Sequence, residues 1–143
     1  MIRPFQESDM PDVLDIWLNA SLISHDFISD EFWKAKVEDM KNIYLPASET
    51  YIFEEEGKVL GFISLYGNSL AAIFVNPKSQ GKGIGQELIK EAKTRRDELH
   101  LSVYAKNTNS VRFYLNCGFQ EVNENIDTHT GEKEILMKWI KAT

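Results

Sequence analysis

Positions 81–85 of the chain read Gly-Lys-Gly-Ile-Gly, and an apolar segment with helical spacing follows at once. Glycines let a ligand approach the backbone because they have no Cβ. The free N–H groups and the dipole at a helix N-terminus attract anions, above all phosphate groups. An ordinary tight connection between a strand and a helix is the alternative, but three glycines in five residues carry an entropic cost that a simple turn does not require. We therefore predict a pyrophosphate site at this turn.

Two other phosphate-binding patterns do not fit the chain. A Walker loop needs a glycine five positions ahead of Gly-Lys, and a serine or threonine after the lysine. At the two Gly-Lys pairs, Ile52 and Asn76 hold the first-glycine positions, and Val59 and Gly83 replace the hydroxyl residue. The spacing G-x-G-x-G also departs from the dinucleotide fingerprint, and no βαβ unit opens the chain. These departures disfavour a nucleoside triphosphate or dinucleotide as the ligand.

A second stretch runs from Asn107 to Phe119 and reads N-x-x-S-x-x-F-Y-x-x-x-G-F. It places an asparagine at the end of a predicted strand, ahead of a short helix that carries Phe113 and Tyr114. By itself, Tyr114 is most simply a core aromatic. A phenol with a pKa of about 10 nevertheless keeps its proton at neutral pH and can donate it. The choice between these two interpretations depends on what the glycine-rich turn binds.

Taken together, the two stretches resemble the GNAT N-acetyltransferase superfamily. The match consists of Gln80-x-x-Gly83-x-Gly85, preceded by the strand Ile73-Phe74-Val75 and Pro77, and followed by the pattern Asn107–Phe119. The motifs cover about Leu60 to Val122, and the order of predicted elements fits over nearly the whole chain. In detail the chain is similar to small bacterial members, including those regarded as protein lysine acetyltransferases. Gln80 stands where many members have arginine, which removes one charge contact.

The resemblance implies how acetyl-CoA, the co-substrate, is bound. The strand Ile73-Phe74-Val75 would pair its backbone with the pantetheine arm and point an N–H at the thioester carbonyl, a contact typically worth about 10²–10³ in rate. Asn107 would hydrogen-bond the pantetheine, and Ser110 or a neighbour would cap the following helix. The residues so assigned to acetyl-CoA binding are Ile73, Phe74, Val75, Gln80, Gly81, Lys82, Gly83, Ile84, Gly85, Gln86, Asn107 and Ser110.

The resemblance also assigns the proton transfers. Tyr114 is the expected general acid, because the thiolate of CoA gains from protonation as it leaves. For the general base, relatives often place a glutamate on the strand before the asparagine motif, but this chain has Ser102 there. A water chain, His25, His100 and Tyr104 are the alternatives. We rank His25 first because the loop between the first two helices borders the acceptor cleft in this family, although a structural role is the simpler one for a lone histidine.

Composition narrows the class of protein. The chain has 143 residues, 43% of them hydrophobic, which suits one domain over residues 1–143 with a real core. Its formal net charge of -6 disfavours a nucleic-acid partner. The N-terminus has no apolar run, and no segment approaches the roughly 20 apolar residues that cross a membrane. The single cysteine, Cys117, indicates a reducing cytoplasm, and its spacing to the three histidines predicts no metal site.

The predicted elements in the first half of the chain are an edge strand, two helices and a meander. The strand covers Ile2–Phe5, and the first helix has Ser8 or Asp9 as its cap and Pro11 in its first turn. A second helix from about Ser29 to Tyr44 is expected to bury Phe32, Trp33, Val37, Met40 and Tyr44. The segments TYIFEE, KVLGFISLY and SLAAIFV read as three antiparallel strands.

The second half alternates helix and strand. The helix after the glycines is expected to end near Arg96, and Leu99, Leu101 and Val103 alternate as a strand. The short helix with Tyr114 stops at Gly118, a left-handed cap, and a hairpin turns near Gly131. The order predicts a mixed α/β layered domain. The resemblance narrows this to the GNAT acyl-CoA N-acyltransferase fold, with a mixed, mostly antiparallel sheet of six to seven strands and about four helices.

Three functions remain open. The first is an N-acetyltransferase that passes the acetyl group of acetyl-CoA to a primary amine by direct attack, the amine being a protein lysine, an N-terminus or a small molecule. The second is a GNAT module that binds acetyl-CoA without turnover, as a sensor or partner domain. The third is a nucleotide-binding or structural domain, which the missing fingerprints disfavour. The acceptor amine and the choice between monomer and homodimer are not fixed by the sequence; no nucleic acid and no membrane are expected as partners.

Overall fold

The computed structural model describes residues 1–142, which form a seven-stranded mixed sheet with helices on both faces. The strands are β1 (Ile2–Pro4), β2 (Glu49–Glu55), β3 (Lys58–Tyr66), β4 (Ser69–Val75), β5 (Glu98–Tyr104), β6 (Gln120–Ile126) and β7 (Lys133–Ile140). The helices are α1 (Met10–Ser24), α2 (Asp30–Ala35), α3 (Val37–Asp39), α4 (Leu45–Ala47), α5 (Ile84–Arg95) and α6 (Thr108–Asn116). The strand order is β1-β2-β3-β4-β5-β7-β6, and β4 and β5 form the parallel pair. The predicted edge strand, meander and C-terminal hairpin are confirmed.

The start of α1 differs from its prediction. Pro11 lies in the first turn as expected, but no side chain caps the helix. Both carboxylate oxygens of Asp9 instead accept hydrogen bonds from the guanidinium of Arg3, each at 2.8 Å, and one also accepts from the backbone N–H of Gln6. The Arg3 guanidinium holds the pKa of Asp9 below its usual value. Asp9 therefore occupies the predicted N-cap position of α1, but its side chain links the helix to β1 and does not cap it.

The second predicted helix is interrupted. Ser29 caps α2 as its side chain accepts from the backbone N–H of Phe32, but residues 40–44 form a π-helical turn between α3 and α4. A π-helical turn accommodates one extra residue. The apolar stripe therefore shifts by one position, so that Leu45 is 3% exposed and Tyr44, predicted to be buried, is 52% exposed.

Two apolar cores lie on opposite faces of the sheet. One contains α5 and the inward side chains of β5, whose alternating Leu99, Leu101 and Val103 are buried as predicted. The other contains α1 and α2, which pack on Ile52 and Phe62 of the central strands. Gly118 has a φ of 95° and ends α6 in the left-handed conformation that the sequence predicts. The two cores hold β4 and β5 from both sides and so position the ends of these strands.

Candidate active site

A cleft opens in the sheet where β4 and β5 diverge. Their register holds one aligned pair, Ser69 with His100, next to a 2.9 Å hydrogen bond from the His100 N–H to the Asn68 carbonyl. Beyond this point β4 remains paired with β3, and β5 remains paired with β7. The facing edges of β4 and β5 therefore separate, and the cleft between and around them has a volume of about 1280 Å³.

The backbone of β4 faces this cleft at alternate residues. The N–H of Asn76 donates to the carbonyl of Leu60 on β3 at 2.8 Å. Because backbone groups of a strand alternate in direction, Ile73 and Val75 point their N–H and C=O groups away from β3 and toward the cleft. The side-chain amide of Gln80 donates to the Val75 carbonyl at 3.2 Å, in agreement with this direction. A chain-like ligand with amide groups can pair with this edge as a strand would.

Phe74 is placed differently from its two neighbours. Its ring stacks on Phe62, with centroids 5.8 Å apart, in the core that contains α1 and α2. Its backbone groups point toward β3 by the same alternation. Phe74 therefore shapes one wall of the cleft, and the backbone groups that face a ligand belong to Ile73 and Val75.

The glycine-rich turn lies at the open end of β4. Gly81 and Gly83 have φ angles of 83° and 82°, in the left-handed region that favours glycine, and Gly83 is the N-cap of α5. A Cβ on Gly81 would meet no atom within 4 Å, and one on Gly83 would meet only the side chain of Gln86 at 3.8 Å. Both glycines line the cleft. Since the first N–H groups of a helix lack partners within the helix, this turn offers them to an anion in open space.

The neighbouring residues of the turn contribute in different ways. Ile84 is 4% exposed and packs in the core, so only its backbone is available to a ligand. Gln86 is exposed and lines the cleft, whereas Lys82 is exposed but lies outside the lining. The structure thus brings the predicted backbone groups together and leaves the Lys82 ammonium free to reach an anion from solvent.

Gly85 has a packing role that the sequence did not indicate. A Cβ at this position would lie 3.1 Å from Cζ of Phe113, a tight contact that the ring could relieve only by shifting a few tenths of an ångström. Glycine therefore lets α5 and α6 approach each other, which brings the glycine-rich turn and the asparagine motif to one cleft. The reason for this glycine is a contact between distant elements, which spacing along the chain cannot reveal.

Asn107 is the N-cap of α6 and a link across the cleft. Its Oδ1 accepts from the backbone N–H of Ser110 at 3.3 Å, and its Nδ2 donates to Nε2 of His25 at 3.2 Å. The side chain is 8% exposed. The prediction that Ser110 caps this helix was wrong: Asn107 is the cap, and the backbone N–H of Ser110 is the donor. The second N–H of the amide remains for a ligand, since an amide carries two donors.

His25 lies in an aromatic cluster at the wall of the cleft. Its ring stacks on Trp33, with centroids 5.1 Å apart, and packs edge-on against Phe27 and Tyr104. Nε2 accepts from Asn107, so the proton of the neutral ring is on Nδ1, which is buried without a partner in residues 1–142. Burial lowers the pKa of His25 to about 4. This geometry disfavours His25 as the general base, because its acceptor nitrogen is occupied and its basicity is reduced.

Tyr114 lies on α6 and lines the cleft. Its ring packs edge-on against Phe113 and Phe119, with centroid distances of 5.4 and 5.8 Å. Burial raises the pKa of Tyr114 above its ordinary value. The phenol therefore stays protonated across the neutral range, as a proton donor requires.

The far side of the cleft contains side chains that sequence reasoning missed or did not rank. Ser102 lines it, but His100 lies outside the lining, next to Glu98 at 3.3 Å. The Tyr104 hydroxyl donates to Asp127 at 2.6 Å, and Glu134 lies opposite Tyr104 in the register of β5 and β7. In the sequence, Glu134 stands out as a carboxylate within the apolar strand β7. Its position opposite Tyr104 could not be predicted, because β5 and β7 are not consecutive along the chain.

Within residues 1–142, no three or more His, Cys, Asp or Glu side chains lie close enough together to hold a metal ion. None of the helices in the same range has the length and apolar character needed to span a membrane.

Comparison with known proteins gives one family. Residues 20–140 match the family model described as acetyltransferase (GNAT) domain. The chain is 36% identical over 140 residues to peptidyl-lysine N-acetyltransferase YiaC of Escherichia coli strain K12, covering 97% of this chain and 96% of that protein. The solution structure of apo-form YjaB from Escherichia coli superposes with a TM-score of 0.86 at 24% identity, over 99% of this chain and 98% of that one.

A further neighbour was solved with a ligand. The PaiA N-acetyltransferase from Thermoplasma acidophilum, in complex with coenzyme A, superposes with a TM-score of 0.80 at 19% identity. Each of the two chains is covered to 98%. At this identity the likeness concerns the fold.

Proposed function

Because this chain belongs to the GNAT acetyltransferase family, we propose that it transfers the acetyl group of acetyl-CoA to the side-chain amine of lysine residues in proteins. The observation that carries the proposal is the divergence of β4 and β5, with the backbone edge of Ile73 and Val75 on one side and Tyr114 on the other. The name of the 36% identical relative supports lysine as the acceptor.

Acetyl-CoA fits the cleft in an extended pose. The pyrophosphate binds the N–H groups between Gly81 and Gln86, where two left-handed glycines leave open space. The pantetheine arm runs along β4 and pairs its amides with Ile73 and Val75, and Asn107 donates its second amide proton from the opposite wall. In this pose the thioester lies in the cleft that Tyr114 lines.

The reaction is a direct displacement at the thioester carbonyl. The neutral amine attacks the carbonyl carbon, the C–N bond forms, and the oxyanion that develops is stabilised by a backbone N–H of β4. The C–S bond then breaks, and Tyr114 gives its proton to the CoA thiolate. The proton that the nitrogen loses restores the phenol, directly or through water. The raised pKa of Tyr114 keeps its phenol protonated at neutral pH.

The mouth of the cleft supports a polypeptide acceptor. Four of its lining side chains are large, apolar and more than half exposed: Ile23, Ile43, Tyr44 and Tyr66, at 64%, 55%, 52% and 62%. Ile43 and Tyr44 belong to the π-helical turn, which directs them to solvent. Apolar side chains exposed around one opening are typical of a protein interaction site. A free polyamine would gain little from such a rim, because its charges require carboxylates.

The test is turnover of acetyl-CoA with several classes of amine, followed by CoA release and by mass spectrometry of the product. Lysine-containing peptides, peptides with a free N-terminus only, and spermidine are compared at equal amine concentration, with a chelator present throughout. We expect the lysine peptides to be acetylated on Nζ with the highest kcat/KM. Binding of acetyl-CoA without acetylation of any amine would instead favour the non-catalytic module, for which the serine at position 102 is the supporting observation.

A further inference from the structure

Glu134 is the one carboxylate among the side chains of residues 1–142 that line the cleft. The other titratable side chains of the lining are His25, Lys106 and four tyrosines, two of which, Tyr104 and Tyr114, have a pKa raised by burial. A lysine acceptor arrives as an ammonium ion with a pKa near 10.4 and must lose a proton before it can attack. A group that accepts this proton is therefore required in the cleft.

The register of the sheet directs Glu134 to the acceptor side. Glu134 on β7 is opposite Tyr104 on β5, and Leu136 is opposite Ser102. Opposite residues share a face of the sheet, and diagonal neighbours on that face are about 7–8 Å apart. Glu134 is thus a diagonal neighbour of Ser102, the position at which the family resemblance leads one to look for a glutamate. A carboxylate absent from β5 is supplied to the same region from β7.

The surroundings of Glu134 leave its carboxylate free to react. Asp127 is engaged by the Tyr104 hydroxyl at 2.6 Å, and Lys106 pairs with Glu132 at 3.2 Å. No cation of residues 1–142 forms an ion pair with Glu134 itself. The side chain is half-buried, and burial together with the Asp127 charge raises its pKa. A raised pKa makes a carboxylate a better proton acceptor near neutral pH.

We propose that Glu134 is the general base, which takes the proton of the acceptor's ammonium group and frees the amine to attack the thioester. The inference rests on the proposed function and adds the residue for its first proton transfer. One ammonium proton passes to the Glu134 carboxylate, directly or through one water. The amine nitrogen then bonds to the carbonyl carbon, its second proton passes toward Tyr114, and CoA leaves as the thiol. Glu134 returns its proton to solvent after the acetylated lysine departs.

The experiment compares Glu134→Gln with the wild-type protein and with Glu121→Gln. Glutamine keeps the size of the side chain but cannot accept the proton. The control removes the same charge from an exposed position of β6, the strand next to β7. For each protein, kcat/KM for a lysine peptide is measured from about pH 6 to pH 11, a range that includes the pKa of lysine. Thermal unfolding and acetyl-CoA binding are measured in parallel.

We expect Glu134→Gln to bind acetyl-CoA normally and to lose about 10²–10⁴ in kcat/KM near pH 7. Its rate should rise with pH and approach the wild-type rate where solvent deprotonates the amine, whereas Glu121→Gln should follow the wild type throughout. The groups around Glu134 that also titrate or carry charge are Tyr104 on β5, Asp127 and His129 in the β6–β7 turn, and Lys106. They are unchanged in the variant, so an acid limb that moves up toward the pKa of the amine in Glu134→Gln alone belongs to Glu134.

A Glu134→Gln protein with the wild-type rate and pH profile overturns the assignment and leaves the proposed function intact. A wild-type protein that binds acetyl-CoA but acetylates no amine overturns both. If Glu134→Gln does not fold, Glu134→Asp decides, since it keeps a carboxylate but withdraws it by one methylene. The proposal requires Glu134→Asp to be slower than the wild type and to retain the acid limb; an unchanged rate contradicts it.

Discussion

The side-chain amide of Asn107 donates a hydrogen bond to Nε2 of His25 across 3.2 Å, which joins the N-cap of α6 to the C-terminal end of α1. The bond links the two sides of the cleft through residues 82 positions apart in the sequence. It holds the Asn107 amide in one orientation, because Oδ1 faces the Ser110 N–H at the same time. A ligand in the cleft therefore meets a preoriented donor.

Asn107→Ala should weaken both the fold and the binding of acetyl-CoA. Loss of a helix cap costs about 1 kcal/mol of unfolding free energy, and loss of the amide donor should raise the KM for acetyl-CoA. Ser29→Ala is the matched control, because Ser29 caps α2 from an exposed position outside the cleft lining. Both variants should unfold at lower denaturant concentration, and only Asn107→Ala should change the KM. An equal KM in the two variants would reduce Asn107 to a structural cap.

Gly81→Ala should impair acetyl-CoA binding more than it impairs stability. The φ of 83° strains any alanine there by about 1 kcal/mol, and the new methyl group occupies space that we assign to the pyrophosphate. Gly57→Ala carries a similar strain at a φ of 76°, with open space around it, in the β2–β3 turn away from the cleft lining. Calorimetry should show a weaker affinity for CoA in Gly81→Ala alone. Equal affinities would move the pyrophosphate elsewhere.

Gly85→Ala should destabilise the protein through one contact. The added Cβ falls 3.1 Å from the ring of Phe113, and overpacking of this kind typically costs about 1–3 kcal/mol. Phe113→Leu removes the ring edge, so the double variant Gly85→Ala, Phe113→Leu should lose less than the sum of the two single losses. Urea unfolding of the four proteins measures the coupling. Additive losses would show that α5 and α6 do not meet at these residues.

Tyr114→Phe should lower kcat and leave the fold intact. Phenylalanine keeps the ring contacts with Phe113 and Phe119 but has no proton to give, so kcat should fall by about 10²–10⁴ while acetyl-CoA affinity stays near the wild-type value. A fast lysine peptide is needed, because a slow amine makes another step limiting. Wild-type turnover by Tyr114→Phe would show that the acid lies elsewhere.

The free energy of unfolding should fall as the pH is lowered below about 6.5, the ordinary pKa of histidine. Burial lowers the pKa of His25 from 6.5 to about 4, so the unfolded chain binds a proton below pH 6.5 that the folded chain binds only below about pH 4. The His25 contribution is therefore complete above pH 6.5 and is lost as the pH falls toward 4, with a limiting slope of about 1.4 kcal/mol per pH unit.

The slope is measured by urea unfolding at several pH values in this window. His25→Phe keeps an aromatic ring against Trp33 and should flatten the slope, whereas His129→Gln, in the exposed β6–β7 turn, should not. The slopes are compared and not the absolute stabilities, because His25→Phe also deprives the Asn107 amide of its acceptor. Equal slopes in His25→Phe and the wild type would assign the acid loss to other groups.

The sequence predicted the elements well where local signals and spacing were strong. Alternation in β5 and the left-handed Gly118 followed from period and backbone freedom alone, and the family motifs placed Gly81, Gly83 and Tyr114 in one cleft. The π-helical turn was missed because a single extra residue leaves the composition of a helix unchanged. The link from Arg3 to Asp9 was missed because a cap and an ion-pair partner use the same residue type.

The candidate site was predictable on its acetyl-CoA side and not on its acceptor side. The former is built from local motifs on β4, α5 and α6, whereas the latter is assembled from α1, β5 and β7. Neither the position of Glu134 beside Tyr104 nor the burial of His25 follows from spacing, because the strand order is not sequential and burial is set by Trp33 and Phe27.

The single aligned pair between β4 and β5 also bears on the stability of the protein and its tendency to aggregate. The sheet consists of two parts, β1-β2-β3-β4 and β5-β7-β6. They meet at a seam between β4 and β5, where both facing strand edges are unpaired beyond Ser69 and His100. Unpaired edges are templates for other strands and a source of aggregation. The pantetheine arm of CoA, bound as we propose, fills the seam like a missing strand, and a ligand that binds only the folded state stabilises it by mass action. The concentration of CoA would then affect the stability of the folded enzyme as well as its rate.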